Sequence, residues 1–214
     1  MRLYSYWRSS SAYRVRIVLA LKAVPYEYVA VNLLPTICEQ RSEAFAAINP
    51  MQQVPTLEWT DGSRLTQSVA IVELLDELHP EPPLLPKQPL LRARVREIVE
   101  LINSGIQPLQ NTATLAELRR LGGEDAARSW AASALAQGLA ALEARAQPGR
   151  FLVGDAPSLA DVFLVPQLYN ARRFGLALEA YPRLLAAEVA ANALPAFQRA
   201  RPEAQPDAPL EDRS

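Results

Sequence analysis

The chain has 214 residues, half of them hydrophobic, with a formal net charge of -1 and a pI near 6.0; this length suits two small domains or one large one. The balanced charge argues against a nucleic-acid partner or an anionic membrane, because it provides no electrostatic footprint for phosphates. No apolar run approaches the ~18 residues that a membrane span requires, and we expect a cytoplasmic protein.

The first part of the chain predicts a strand, a helix and a second strand. Arg2–Tyr6 is prone to form a β-strand, an amphipathic helix follows through about Lys22, and Glu27–Val31 has the pattern of a second strand. Two strands joined through a helix pair in parallel, with a right-handed crossover. This segment is therefore a βαβ unit.

The next segment completes a small mixed sheet. A helix is expected around Gln40–Ala47, and Thr56–Trp59 and Arg64–Thr66 are two strands separated by an Asp-Gly turn. An amphipathic helix begins at Ser68. The order βαβ, α, ββα over residues 1–81 predicts a thioredoxin-like domain of the α/β class.

Prolines then interrupt the chain. Five of them fall between residues 80 and 89. Because proline holds the chain extended and blocks both helix and sheet, we expect a stiff linker over residues 82–89. The remainder, 90–214, shows only helical patterns, which predict an all-helical second domain.

Helices of the second domain can be placed approximately. Three helical patterns run over residues 91–106, 127–142 and 184–194. Pro108 kinks or ends the first of them. Another helix opens at Ser158, where a hydroxyl followed three residues later by a carboxylate is close to a capping box. The tail from Pro202 is polar and rich in proline, and we expect it to form a loose strap.

Chemically reactive side chains are few. The chain contains one cysteine, Cys38, and one histidine, His79. An intrachain disulfide, a zinc site of clustered Cys and His, and a catalytic triad that does not use His79 are therefore excluded. We expect no metal and interpret Cys38 and His79 as incidental. If the chain is an enzyme, its nucleophile or base arrives with a cofactor.

Three consecutive serines, Ser9, Ser10 and Ser11, lie between the first strand and the first helix. One of them is expected to cap the helix N-terminus. A hydroxyl beside the positive end of a helix macrodipole could also donate to a thiolate and stabilise it. The two interpretations are compatible, and three hydroxyls are more than a cap requires.

Two further pairs could contribute to a binding site. Pro55 could simply begin a strand, or it could be the cis-proline of a thioredoxin-like fold, where the backbone of Val54 would pair with a bound peptide. Gln67 and Ser68 could cap a helix or bind an anion at its N-terminus. Two helix N-termini with hydroxyls could bracket a ligand that carries a thiol and a carboxylate, such as glutathione.

Arginines next to these motifs could bind an acidic substrate. Arg8 precedes the serines, and Arg172 and Arg173 follow the capped helix of the second domain. Most arginines are solvated or ion-paired. Guanidinium groups also bind carboxylates in a bidentate manner, so that one arginine from each domain could hold a diacid.

Taken together, the motifs resemble the zeta class of the glutathione transferases. The matching segments are Tyr4–Arg16 with its Ser-Ser-Ser and Arg-Val-Arg, Asn49–Leu57, Gln67–Ser68, Gly105–Asn111, Leu159–Gln167 and Ala204–Asp207. They extend over essentially the whole chain. The first segment and Gly-Ile-Gln-Pro are specific to the zeta class, whereas Val-Pro and Gln-Ser occur across all glutathione transferases.

The resemblance implies glutathione as the cofactor and a role for each matching residue. Ser9 would stabilise the glutathione thiolate, with Ser10 close behind it, and Arg8 and Arg173 would hold the substrate carboxylates. The other glutathione contacts would come from Ser11, Gln40, Val54, Pro55, Gln67, Ser68, Gln107 and Asn111. Ser11 departs from the family, which usually has cysteine there, and we interpret that thiol as dispensable.

The implied activity is the glutathione-dependent cis–trans isomerisation of a maleyl keto diacid by a homodimer, in aromatic amino-acid or aromatic acid catabolism. Maleylacetoacetate and maleylpyruvate fit the sequence equally well. Two alternatives remain. A general glutathione transferase or peroxidase, acting on electrophiles or alpha-halo acids, would have an apolar acceptor pocket instead of two arginines. A non-catalytic scaffold of the same fold would lack the hydroxyl and the glutathione contacts.

Overall fold

The computed structural model describes residues 1–147 and 149–212. The chain divides into two compact units, one formed by Met1–Pro82 together with the segment from Leu194 onward, and the other by Pro83–Ala193. The first unit is thus discontinuous in sequence. The segment from Leu194 onward belongs to this unit, whereas it was predicted to be part of the helical domain. Within the described ranges, no helix is long and apolar enough to cross a membrane.

The first unit is built on a four-stranded mixed sheet. Its strands are β1 Arg2–Ser5, β2 Glu27–Ala30, β3 Thr56–Glu58 and β4 Arg64–Thr66. Their order across the sheet is β2-β1-β3-β4. β1 pairs with β2 in parallel, while β1 with β3 and β3 with β4 are antiparallel pairs. The thioredoxin-like sheet predicted from the strand and helix order is confirmed.

Eight α-helices account for most of the rest of the described chain. They are α1 Ser10–Leu21, α2 Glu43–Ala46, α3 Ser68–Leu78, α4 Pro89–Glu100, α5 Thr112–Arg145, α6 Leu159–Arg173, α7 Pro182–Asn192 and α8 Pro195–Ala200. The backbone of α5 is not helical at Gly123, where φ is 81° and ψ is -179°, so α5 consists of two helical segments joined by a kink. The region predicted as one helix before Asn49 is instead a 3-10 turn, Glu39–Arg41, followed by the short α2.

The core of the first unit lies between the sheet and the helices α1 and α3. Leu57 of β3, Ile17 of α1 and Ile71 of α3 are completely buried. A buried ion pair joins the two helices: Lys22 Nζ lies 2.6 Å from Asp76 Oδ1 and donates to the carbonyl oxygen of Pro82. The hydrophobic contacts and this pair hold α1 and α3 side by side.

The tail from Pro202 is folded, and the expectation of a loose strap is wrong. Pro202–Ala204 is a 3-10 turn. The buried side chain of Gln205 donates to the carbonyl oxygens of Arg199 and Arg201, at 3.0 and 2.8 Å. These bonds satisfy backbone carbonyls at the end of α8, which a proline-rich sequence cannot satisfy by continuing the helix.

In the second unit, the predicted helix over 91–106 changes its geometry before Pro108. α4 ends at Glu100, Leu101–Ile106 is a π-helix, and Gln107–Gln110 is a 3-10 turn. The π-helix packs closely against α5 at Gly138, where a Cβ atom would lie 2.3 Å from Cγ1 of Ile106. Only glycine permits this approach.

The helix predicted at Ser158 has the expected capping box. The hydroxyl of Ser158 accepts from the backbone of Ala160, and the backbone of Ser158 donates to Asp161 Oδ2 at 2.9 Å. The second carboxylate oxygen of Asp161 accepts from the backbone of Leu152, also at 2.9 Å. Burial raises the pKa of this carboxyl, and the hydrogen bonds oppose that effect.

We expect Asp161→Ala to lower the free energy of unfolding by about 2–5 kcal/mol, because two buried N–H groups lose their acceptor. Ser158→Ala removes only the cap and should cost about 1 kcal/mol. Thermal unfolding measures both, at roughly 2–4 °C per kcal/mol for a chain of this size. Equal losses for the two variants would show that Asp161 is no more than a helix cap.

Candidate active site

The pairing of the strands brings the predicted glutathione contacts of the first unit to one edge of its sheet. Tyr4, Thr56 and Thr66 lie in one row across β1, β3 and β4. Because neighbours in this row are antiparallel, β1 and β4 end where β3 begins. β2 runs parallel to β1 and ends there too. The segments that leave the sheet at this edge carry Arg8, the three serines, Gln40, Val54, Pro55, Gln67 and Ser68.

Ser9 is the N-cap of α1. Its Oγ accepts from the backbone of Ala12 at 3.2 Å, and its own N–H donates to the carbonyl of Tyr6 at 2.9 Å. The cap uses an acceptor lone pair, so the hydroxyl proton can still donate to an anion. Ser10 and Ser11 are the first two residues of α1 and are partly exposed. Capping and thiolate stabilisation are therefore compatible at Ser9.

The peptide bond between Val54 and Pro55 is cis, as the thioredoxin-like fold implies. The loop before it is organised by the buried side chain of Asn49, which donates to the carbonyl of Gln53 at 2.7 Å and accepts from the backbone of Met51 at 3.0 Å. These hydrogen bonds fix the loop that leads through Val54 into β3.

Gln67 and Ser68 begin α3 in an unusual conformation. Gln67 has φ 70° and ψ 115°, a region that residues other than glycine rarely adopt. Such strain persists only when the surrounding structure imposes it, and it is frequent at binding sites. Ser68 is buried, and its hydroxyl accepts from Nη1 of Arg14 at 3.1 Å.

Arg14 contributes to this site in a way that the sequence did not indicate. Its position inside the first predicted helix indicates no function, yet its completely buried side chain joins α1 to the first turn of α3. A guanidinium adds positive charge beside a helix N-terminus that already favours anions. The start of α3 is thus suited to a carboxylate.

Gln40 and Arg8 complete the set in the first unit. Gln40 lies in the 3-10 turn after β2, and its buried Oε1 has no hydrogen-bond partner within the described residues. A buried acceptor of this kind is normally satisfied, and a donor on a ligand would satisfy it. The guanidinium of Arg8 lies over the ring of Trp7, 5.3 Å from its centroid, which fixes the arginine beside Ser9.

The second unit brings together the other predicted contacts. Arg173, the last residue of α6, donates to Oδ1 of Asn170, and Nδ2 of Asn170 donates to Oε1 of Gln110, both at 2.9 Å. Gln110 is buried and belongs to the 3-10 turn that Gln107 begins, and Asn111 is the N-cap of α5. Asn170 and Gln110 therefore tie Arg173 to the segment that carries Gln107 and Asn111.

The two neighbouring arginines at the end of α6 have different partners. Arg172 forms a bidentate pair with the buried carboxylate of Glu188 in α7, at 2.6 and 2.5 Å. This hydrogen-bonded pair raises the pKa of Arg172. Arg172 therefore connects α6 to α7, while Arg173 faces a different set of groups. The family resemblance singles out Arg173, whereas the pair of Arg172 with Glu188 could not be predicted from the sequence.

Two known protein families match most of the chain. Residues 3–83 match the family of the glutathione S-transferase N-terminal domain, and residues 91–186 match that of the C-terminal domain. Maleylacetoacetate isomerase of Pseudomonas aeruginosa is 47% identical over 98% of this chain and 99% of its own length.

Solved structures with bound ligands are similar over nearly the whole chain. A maleylacetoacetate isomerase of Anaeromyxobacter dehalogenans with glutathione in its active site is 57% identical over 97% of both chains, with a TM-score of 0.88. The holo structure of a maleyl pyruvate isomerase, a bacterial transferase of the zeta class, is 44% identical over 98% of this chain and 100% of its own, with a TM-score of 0.93.

Because Gln67 is strained, its substitution by glycine should change the stability of the fold and the binding of glutathione in opposite directions. Gln67→Gly should stabilise the fold by about 1 kcal/mol, because glycine adopts a positive φ without steric cost. We expect the same variant to bind glutathione about tenfold more weakly if its side-chain amide makes the glutathione contact that the family resemblance implies. Gln67→Ala is the matched control, losing the amide but keeping the strain. Thermal unfolding and calorimetric titration with glutathione measure both effects, and a Gln67→Gly protein less stable than Gln67→Ala would contradict the strain.

Proposed function

This chain belongs to the glutathione S-transferase family and, within it, to the zeta class, and we propose that it is a glutathione-dependent cis–trans isomerase of a maleyl keto diacid. The proposed substrate is maleylacetoacetate or maleylpyruvate, and the product is the fumaryl isomer. The observation that carries the proposal is the hydroxyl of Ser9 at the N-terminus of α1, on the sheet edge that also carries the cis bond at Pro55 and the start of α3.

The residues of the first unit fit glutathione. The start of α3, with Ser68 and the buried Arg14, suits a carboxylate of the tripeptide. The backbone of Val54 before the cis bond suits antiparallel pairing with its cysteinyl part. The buried Oε1 of Gln40 offers an acceptor. Gln67, Ser10, Ser11, Gln107 and Asn111 are proposed as the remaining contacts.

The chain supports the reaction by charge stabilisation and orientation. Bound glutathione supplies the thiolate whose reversible addition lets the cis double bond of the substrate rotate. Ser9 donates a hydrogen bond to that sulfur, and the positive end of the α1 dipole further favours the anion, so the pKa of the thiol falls below its ordinary value of ~8.5. No protein histidine is needed.

Two arginines are proposed to orient the substrate. Arg8, which lies over Trp7, and Arg173, which is held by Asn170, would each bind a carboxylate of the keto diacid. Fixing both ends of the substrate lowers the entropy that must be lost in the transition state. A transferase for uncharged electrophiles would gain nothing from either arginine.

The setting of the reaction is also part of the proposal. We place the enzyme in the cytoplasm, where thiols are kept reduced, and in aromatic catabolism, because its proposed substrates are ring-cleavage products. The family resemblance suggests a homodimer. Sedimentation of the purified protein would test this assembly.

Ser9→Ala should lower kcat/KM for glutathione-dependent isomerisation by about 10²–10³-fold, because one preorganised donor to the sulfur is lost. Conversion is followed by ultraviolet absorbance on maleylpyruvate and on maleylacetoacetate, with and without glutathione. Ser9→Asp keeps the helix cap but has no hydroxyl to donate, so it should be stable and equally inactive. Ser11→Cys should stay within a few-fold of the original activity. Absence of turnover on both compounds, with glutathione still bound, would favour a transferase.

Arg173→Gln and Arg8→Gln should each lower isomerisation by about 10²-fold, because a charge-assisted hydrogen bond to a carboxylate is lost. Conjugation of glutathione to an uncharged electrophile should remain within about fivefold. Arg172→Gln is the control, because it breaks the pair with Glu188 and should lower the thermal midpoint while sparing isomerisation. Parallel losses of isomerisation and conjugation would refute the proposed clamp.

A further inference from the structure

The turn between β1 and α1 carries both Arg8 and Ser9, and its backbone is held from outside the turn. The N–H of Trp7 donates to Oδ2 of Asp207 at 2.9 Å. The carbonyl oxygen of Trp7 accepts from Nη2 of Arg16 at 2.9 Å, and that of Tyr6 accepts from Nη1 of the same guanidinium at 3.3 Å. Both polar groups of the Trp7 backbone therefore have fixed partners.

Asp207 is itself held in place. Its Oδ1 accepts from the hydroxyl of Tyr28 in β2 at 2.6 Å. Burial raises the pKa of Tyr28, so that this hydroxyl stays protonated and keeps donating. The next residue, Ala208, is buried in one hydrophobic cluster with Trp7 and Val54. The carboxylate thus reaches the turn from a packed segment.

Holding Trp7 fixes the two residues that follow it. The ring of Trp7 is buried, and it supports the guanidinium of Arg8 at 5.3 Å. Ser9 closes the turn by donating from its backbone to the carbonyl of Tyr6. A displacement of the Trp7 backbone would therefore move both the hydroxyl and the guanidinium.

We propose that Asp207 is a positioning residue for the reaction, which holds the Trp7 N–H so that the Ser9 hydroxyl and the Arg8 guanidinium take their working positions. It acts through the turn and does not touch the substrate. The inference rests on the proposed function, which makes Ser9 the donor to the glutathione sulfur. The effect of Asp207 on the thiol of bound glutathione can still be measured without any isomerisation.

The test compares Asp207→Ala with Tyr28→Phe. Alanine has no side-chain acceptor, so the Trp7 N–H and the Tyr28 hydroxyl both lose their partner. Tyr28→Phe removes only the bond between Tyr28 and the carboxylate and leaves the bond to Trp7. Both variants weaken the attachment of the C-terminal segment, but only Asp207→Ala removes the acceptor of the Trp7 N–H.

Two quantities are measured in each variant: the pKa of bound glutathione, by ultraviolet titration of its thiolate, and kcat for isomerisation. In Asp207→Ala we expect the thiol pKa to rise by about one unit, a tenfold change in the acid equilibrium, and kcat to fall at least tenfold. Tyr28→Phe should leave the thiol pKa unchanged and kcat within twofold. Removing a negative charge alone would lower the thiol pKa, so a rise reports the lost hydrogen bond from Ser9.

Other results overturn the proposal. An unchanged thiol pKa in Asp207→Ala, or equal shifts in both variants, would reduce Asp207 to an anchor of the C-terminal segment. If the original protein binds glutathione without isomerising either diacid, the proposed function fails, and the titration still decides the role of Asp207.

A measurement on the unmodified protein covers the case in which Asp207→Ala does not fold. Amide hydrogen exchange followed by NMR should show the Trp7 N–H protected at least 10²-fold relative to an unstructured peptide, because it donates to a carboxylate in a packed segment. Exchange of this amide at the unprotected rate would overturn the proposal.

Discussion

The packing of the first unit depends on the buried guanidinium of Arg16. Burial lowers the pKa of this arginine, and removing a charge from water is costly unless its donors are bonded. Here they are bonded to the carbonyls of Tyr6 and Trp7, to the hydroxyl of Ser5, and to the carbonyl of Ala200. The Arg16 guanidinium therefore bonds to the end of β1, to the turn before α1 and to the end of α8. A shift of any one of these segments would leave an N–H group of the guanidinium without an acceptor.

Features set by neighbours in sequence could be predicted, and those set by distant contacts could not. The cap at Ser9 and the capping box at Ser158 depend on residues a few positions apart, and the strands and the helix of the βαβ unit each have a local pattern whose order predicts the parallel pairing. The strain at Gln67 does not show in the sequence, because glutamine there looks like an ordinary helix start. The contact between Arg14 and Ser68 joins residues 54 positions apart, beyond any local pattern.

The second unit shows the same limit at closer range. The spacing of Asn170 and Arg173 is that of neighbours on one helix face, so their hydrogen bond could have been anticipated, whereas the link to Gln110 required the fold. The π-helix at Leu101–Ile106 arises where α5 approaches at Gly138. The helical periodicity of the sequence does not by itself predict that the α-helix widens to a π-helix at this point.

The discontinuity of the first unit has a consequence for protein synthesis. Asp207, which accepts the hydrogen bond from the Trp7 N–H, lies 200 positions further along the chain. The whole second unit lies between these two residues in the sequence. On the ribosome, the N-terminal sheet emerges first and must wait for α8 and Asp207 before Arg16 and Trp7 acquire all their partners. A nascent chain therefore exposes its serines early, but the turn that carries Ser9 acquires its last hydrogen-bond partner only after Asp207 has been synthesised.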